Sequence, residues 1–508
     1  MTAAPQNETN ANKILSLLRR WPFYVLLLPL FFVLHGVKEN FGFILAGDYV
    51  PLMLLYCFGA SITYLIFYLI YRNATKAGLI TFLLLSIYFF YGAIQDFLKD
   101  HFHTLARYVI LIPSLFILII IIAILLKKGK QNLAKLNFFL NFLLLIYVFV
   151  DLTIILEKSF SPAKDKFTIY PFAQNDHYAI CKDCAKPDIY FLVFDEYASS
   201  VCLKNDFGFD NSQLDSFLIN KQFRIQKNST GNYNFTPFSI SSILNMSYIN
   251  GVNTDSVTSD DYARCNKLIR ENEVVKYLSA SGYDIINCSI FDIAGNPSPV
   301  NQDFLPLKAR LITDRTLWGR IKRDILWNLF AGKFEIKWLA DKAIYGYNNN
   351  NNKLIDLVKK ESEKKRDAPR FVYAHYNMPH TPYYFDKDGN PVAKEKLGHN
   401  YDSDRNLYLG YAQYTNTKIK ELVNTISRNT KEQAVIIIMG DHGFRNDSKM
   451  PEHVFFQNQN AVYLPGKNYN LYYDSITGVN QFRVLINTLF KQNTPLLKDS
   501  SIFLKDAR

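Results

Sequence analysis

The sequence predicts two kinds of structure in one chain. An amino-terminal α-helical transmembrane bundle of five spans is followed by an α/β domain with a mostly parallel central sheet. Three observations carry this reading. Hydrophobic residues are 49% of the 508, and they are concentrated in the first third. Five stretches there are long and nearly free of charge. Beyond about residue 185, short apolar runs rich in β-branched residues alternate with helical stretches, and the clearest runs stop at acids. That alternation is the signature of strands buried on both faces and joined by helices.

The five stretches are Trp21–Val37, Val50–Tyr71, Ala77–Phe97, Tyr108–Leu126 and Leu136–Leu156. Each has about the 17–25 residues a helix needs to cross a bilayer. A signal peptide would account for one such segment, not five. The first is the shortest and carries Pro29 and His35. The connections divide the cations unevenly. One side holds Lys13, Arg19, Arg20, Arg72, Lys76, Lys127, Lys128, Lys130 and Lys135, the other only Lys38, Lys99 and Arg107. Cytoplasmic loops carry the excess of Lys and Arg. The amino terminus is therefore expected inside, and five crossings put the rest of the chain outside. The expected divisions are a transmembrane domain over 1–157, a juxtamembrane linker over 158–185 and an extracytoplasmic domain over 186–508. Asp151 lies near the outer end of the fifth span and is expected to snorkel to the interface.

The formal net charge is +12. Part of it is the cytoplasmic rim, no nucleic-acid module is recognisable, and no nucleic-acid partner is expected. A basic, aromatic stretch runs through Lys308, Arg310, Arg315, Trp318, Arg320, Lys322, Arg323, Trp327 and Trp338. It suits either anionic lipid headgroups or a solvated helix pair with Trp turned into a core. Of six cysteines, Cys57 falls in the second span. Cys181, Cys184, Cys202, Cys265 and Cys288 are expected outside, where disulfides persist. Five is odd, so at least one is unpaired there, and spacing does not fix the pairing. Cys181 and Cys184 form the single pair of this spacing in the sequence, which argues against a zinc site.

In the outer domain, Ile189–Phe194 reads as a buried strand ending at Asp195-Glu196. Ser212–Asn220 reads as a helix, Phe223–Gln226 as a short strand, Ser239–Met246 as a helix and Tyr283–Ile290 as a strand. Asn348–Asn352 reads as a low-complexity joint, followed by a charged helix over Lys353–Lys365. Arg370–Tyr376 is a strand, Arg405–Ser427 a helix, and Val435–Met439 a strand closed by Gly440 and Asp441-His442-Gly443.

Open α/β sheets bind ligands beyond the carboxyl ends of their strands. Asp195, Glu196, Asp441 and His442 stand there, and carboxylates with imidazole suit Mn, Mg or Zn. Asn234-Phe-Thr236-Pro-Phe-Ser239 opens a helix, where unpaired N–H groups and the dipole favour an anion. Thr236 is either a helix cap ahead of Pro237 or a nucleophile activated by a cation. His375 and His380 stand in His-Tyr-Asn-Met-Pro-His-Thr-Pro after a strand; His375 reads as a strand residue. His453 follows His442 by eleven residues. Arg445 and Asn377 are near enough in sequence to hydrogen-bond a phosphate.

In order and spacing these elements resemble the alkaline phosphatase superfamily in its sulfatase-like branch. With five spans ahead, they resemble the membrane-anchored lipoteichoic acid synthases and phosphoethanolamine transferases. The resemblance implies Asp195, Asp441, His442 and Thr236 as ligands of one divalent metal, with Thr236 the nucleophile. It implies His380 and His453 as histidines on the substrate phosphate or a second metal. Glu196 matches an acid that true sulfatases use and lipid transferases lack. No Cys/Ser-x-Pro-x-Arg motif stands near Thr236, which disfavours sulfate-ester hydrolysis through an aldehyde. Asn234-Phe-Thr236 is a glycosylation sequon, and a glycan there would crowd Thr236, so a bacterial inner membrane suits the chain better. The expected activity is a metal-dependent phosphotransferase, moving a phospholipid headgroup phosphate to a glycan or lipid acceptor through a phospho-threonine. The alternatives are a phosphodiesterase, phosphatase or sulfatase-like hydrolase with the same site, and a non-catalytic sensor or scaffold.

Overall fold

The computed structural model describes residues 10–160, 180–300, 308–326 and 337–506. Two compact units result: Met1–Lys164 with Pro306–Asn328, and Asp165–Leu305 with Leu329–Arg508.

The first unit is a helical bundle. An amphipathic helix α1 (Asn10–Arg20) leads into α2 (Tyr24–Glu39), α3 (Ala46–Tyr71), α4 (Ala74–His101), α5 (Tyr108–Lys128) and α6 (Ala134–Phe160). Two buried amides of α6 fix the break between α1 and α2. Asn137 donates to the carbonyls of Leu18, Arg19 and Trp21, and Asn141 donates to Leu18 and Trp21 and accepts from the Tyr24 amide. The carbonyls left open at the end of α1 thus find partners inside the bundle. The α3 to α6 helices are long and apolar enough to cross a membrane. The first expected span is not of that length: α2 has 16 residues, about 24 Å of helix. It is instead the helix that α3, α4 and α6 pack around, with Tyr24, Val25, Leu28, Phe32, Val33 and Val37 in the core. The α3 and α5 helices turn outward large side chains such as Leu54, Phe58 and Phe116, an exposure suited to lipid rather than water.

Asp151 does not snorkel. It is 3% exposed and faces α2, where Lys38 Nζ lies 2.9 Å from one oxygen and His35 Nδ1 3.1 Å from the other. A carboxylate in an apolar bundle is retained where a cation meets it.

The second unit holds one six-stranded sheet. Its strands are β1 (Ile189–Phe194), β2 (Arg224–Ile225), β3 (Asp284–Cys288), β4 (Arg370–Tyr376), β5 (Val435–Gly440) and β6 (Asn460–Tyr463), in the order β2-β6-β5-β1-β4-β3. The β3, β4, β1 and β5 strands are parallel, whereas β6 runs antiparallel to β5 and to β2. Every residue of β1, β4 and β5 is buried, which is why these runs are apolar without alternation. Register brings their carboxyl ends level: Phe194 is opposite Tyr376 on one side and Gly440 on the other.

The Asn348–Asn352 joint is not a break. One helix runs from Lys337 to Glu363, and Asn351 exchanges two hydrogen bonds with the backbone of Asn377, at 3.0 and 2.9 Å. The polar run supplies a tie to the chain just beyond β4. Cys181 and Cys184 form a disulfide, and Cys202, Cys265 and Cys288 are buried thiols. Most of the expected linker, 161–179, lies outside the described residues.

Candidate metal centre

The level ends of β1, β4 and β5 carry the site. Asp195 is the first residue after β1 and is held by its amide, which donates to the Tyr376 carbonyl at 3.0 Å. Asp441 is the first residue after β5. Its Oδ1 accepts from the amides of Glu196 and His442, at 3.0 and 2.9 Å. Its Oδ2 is buried with no hydrogen-bond partner.

His442 is fixed by what its other nitrogen meets. Nδ1 is 2.8 Å from the Gly443 carbonyl oxygen, which can only accept, so Nδ1 carries the proton and Nε2 offers its lone pair. Nε2 lies 3.2 Å from Thr236 Oγ1, 3.4 Å from Asp441 Oδ2 and 3.7 Å from Asp195 Oδ1. Thr236 Oγ1 is also 3.3 Å from Asp195 Oδ1. Thr236 opens the helix Thr236–Asn245, with Phe235 in the cap position and no side-chain cap bond. Its hydroxyl therefore faces the acids instead of its own backbone, and the capping alternative does not describe it.

His375 joins them. Its Nε2 is buried without a hydrogen-bond partner and lies 3.8 Å from Asp195 Oδ2. Ligand atoms of Asp195, His375 and Asp441 all lie within 4.8 Å of one another. Two carboxylates, two imidazole nitrogens and a hydroxyl converge, with Asp441 Oδ2 and His375 Nε2 left open. Buried groups of this kind are seldom unpaired. The residues fit a divalent cation. His375 was legible only as a strand residue; the available signal was an imidazole one residue from the carboxyl end of an apolar, buried strand.

Glu196, His380 and Arg445 form a second group beside the first. The Glu196 carboxylate accepts from the Arg445 amide at 2.8 Å and from Asn446 Nδ2 at 2.7 Å. It stands at φ +64°, in a region a non-glycine residue enters at some cost. Glu196 thus ties the chain after Asp441 in place and is not among the three residues whose ligand atoms cluster. His380 Nε2 is 3.9 Å from Glu196 Oε2 and 3.5 Å from Arg445 Nη2. Arg445 lies over the Phe235 ring at 5.0 Å, next to Thr236. Burial alone would raise the Asp195 carboxyl, but His380, His375 and His442 outweigh it and hold the acid well below its usual range. Burial would lower His380, and Asp195 and Glu196 overcome that and raise it. For Glu196 burial wins over its cationic neighbours, and its pKa is raised.

His453 is not brought to this site. Its side chain is 52% exposed and its Nε2 lies 3.1 Å from Asp206. It sits on a short turn, Glu452–Phe455, whose Val454 and Phe455 are buried, so its side chain is turned out. Asn234 is buried, exchanging bonds with the Leu504 backbone at 3.0 and 2.8 Å. The folded sequon is closed to a glycan.

Residues 239–488 match the sulfatase family model. No curated protein sequence matches the chain. Among solved structures, similar folds include the C-terminal periplasmic domain of EcEptC from Escherichia coli in complex with Zn (7% identity, 64% of this chain and 88% of that one, TM-score 0.38). Others are the phosphonate monoester hydrolase SpPMH from Silicibacter pomeroyi (12%, 62% and 75%, 0.38) and Ps i-CgsB with k-i-k-neocarrahexaose (13%, 62% and 75%, 0.34). Likenesses this distant transfer no ligand or activity. The match gives this chain a sulfatase-family domain over residues 239–488, which holds His375, Asp441 and His442.

Proposed function

We propose that the chain is a metal-dependent phosphotransferase that moves a phospholipid headgroup phosphate to a glycan or lipid acceptor through a phospho-threonine. The observation that carries this reading is Thr236 Oγ1 between Asp195 Oδ1 and His442 Nε2, at 3.3 and 3.2 Å. A hydroxyl is a weak nucleophile until its proton is drawn off; Asp195 Oδ1 accepts the hydroxyl's hydrogen bond and orients it, and the proton passes to solvent. A divalent cation held by Asp195, Asp441, His442 and His375 would supply stabilisation of the alkoxide and of charge on the phosphoryl oxygens.

Thr236 Oγ attacks phosphorus, and the bond from phosphorus to the diacylglycerol oxygen breaks. His380, its pKa raised by Asp195 and Glu196, donates the proton that oxygen needs. An acceptor hydroxyl then attacks the phospho-threonine and gives its proton to His380, while the departing Thr236 oxygen regains its proton from solvent and the free hydroxyl is restored. With water as acceptor the same residues would make a hydrolase.

The bundle supports a lipid donor. The α2 and α6 helices run side by side in one direction, since Asn141 meets Trp21 while Asp151 and Lys158 meet Lys38. Five crossings follow in this reading, with α2 spanning alongside α6. They place the catalytic unit outside a bacterial inner membrane, by the distribution of Lys and Arg. Attachment to such a bundle keeps the site at high effective concentration near the bilayer.

Intact-protein mass spectrometry after incubation with membrane phospholipids and Mn or Zn tests the mechanism. The expected result is an added headgroup phosphate at Thr236, absent in Thr236→Ala and discharged by acceptor. An adduct of undiminished yield in Thr236→Ala would overturn it.

A further inference from the structure

Residues 308–326 lie in sequence between β3 and β4, yet they pack with the helical unit. Four contacts pin them where α2 and α4 finish and α5 begins. Ile312 lies so close to Gly36 of α2 that a Cβ there would meet its Cγ1 at 2.7 Å. The Gly92 amide of α4 donates to the Arg315 carbonyl at 2.9 Å, and a Cβ at Gly92 would stand 2.6 Å from that oxygen. Arg320 grips Asp96 through both terminal nitrogens, at 2.8 and 2.5 Å. The Tyr108 hydroxyl donates to Asp324 at 2.5 Å.

What this segment leaves outside is as informative as what it buries. Trp318 is 56% exposed, so for this residue the reading of a Trp turned into a core does not hold. Arg315 is exposed beside it. The segment carries Lys308, Arg310, Arg315, Arg320, Lys322 and Arg323 against Asp314 and Asp324, and Arg320 is already neutralised by Asp96. An indole with an apolar body and one polar edge, set among cations at the end of apolar helices, matches the headgroup layer of a bilayer. Arginine beside it attracts anionic lipid.

We propose that residues 308–326 form an interfacial docking element that lays Trp318 and Arg315 among anionic phospholipid headgroups. It rests on the reading of the bundle as membrane-embedded, and not on the chemistry at Thr236.

The test uses the full chain reconstituted in vesicles of phosphatidylcholine with phosphatidylglycerol. Single-tryptophan variants retain either Trp318 or Trp21, the other tryptophans being Phe. Lipids brominated near the headgroup should remove the greater part of Trp318 emission, and deeply brominated lipids much less. Arg315→Glu should weaken the shallow quenching in vesicles containing phosphatidylglycerol and leave it unchanged in phosphatidylcholine alone. Trp318 emission indifferent to bromine, or quenched only by deep bromine, overturns the proposal, as does an Arg315→Glu effect equal in both vesicles. Trp21 separates the causes. If Trp21 is quenched and Trp318 is not, the docking element is wrong while the membrane bundle stands; if neither is quenched, both fail.

Discussion

His442 Nδ1 and the carbonyl oxygen of Gly443 lie 2.8 Å apart, and that one bond decides which nitrogen faces Thr236. With the proton committed to Nδ1, Nε2 is a lone pair pointed at two carboxylates and a hydroxyl. Without a cation, this arrangement sets three electron-rich atoms against one another. Gly443 makes the bond possible, because a Cβ there would stand 2.1 Å from the Val454 carbonyl oxygen. The Asp-His-Gly triplet is thus one device: an acid, an imidazole of fixed tautomer and a residue without a side chain that lets the turn close.

If His442 helps hold a cation, removing its imidazole should remove the metal. His442→Ala is expected to lower bound Zn or Mn by elemental analysis and to reduce transfer by at least about 100-fold, the upper end of what outer-shell losses alone cause. Chelation of the parent protein should abolish activity, and added metal should restore it. Full activity of the chelated protein would end the metal reading.

His375 separates a ligand from a core residue. If its open Nε2 completes the site, His375→Gln should weaken metal affinity by at least about 100-fold, beyond what outer-shell losses cause, with little change in unfolding midpoint. A strand residue would behave in the opposite way, losing stability and keeping its metal. Isothermal titration with Zn beside thermal unfolding tells the two apart.

Much of the fold was legible because burial writes itself into composition. The β1 and β4 strands and the helix Ser212–Asn220 begin and end where the sequence places them, since apolar runs there stop at charge, Gly or a cap. Asp195, Thr236, Asp441 and His442 were legible for a related reason: polar residues at the carboxyl ends of such runs have few structural uses. What was lost depended on direction. His375 lies inside a strand, and only the level register of β1, β4 and β5 shows that it faces Asp195. His453 has metal-site spacing, yet Val454 and Phe455 take the inward side of its turn. The five asparagines at 348–352 have the composition of a joint, yet they lie inside one helix, with Asn351 tied to Asn377. Likewise β6, four residues long, is too short for periodicity to announce.

The bundle offers a test of its own at Asp151. Its carboxylate is nearly closed to solvent and holds Lys38 and His35 of α2 against α6. Among the described residues, Asp151→Ala would leave the Lys38 ammonium with only Glu39, 3.5 Å away, as an acid partner. Removing one member of a buried pair costs about 3–5 kcal/mol, and the length of the lysine stem lets it reach outward, so a loss of about 2–3 kcal/mol is expected. Replacing both charges, Lys38→Met with Asp151→Leu, removes the unpaired charge as well as the attraction. That double variant should recover most of the unfolding midpoint in detergent. If it unfolds no later than Asp151→Ala, the pair is holding α2 by something other than charge compensation, and the account of why an acid survives in this helix is wrong.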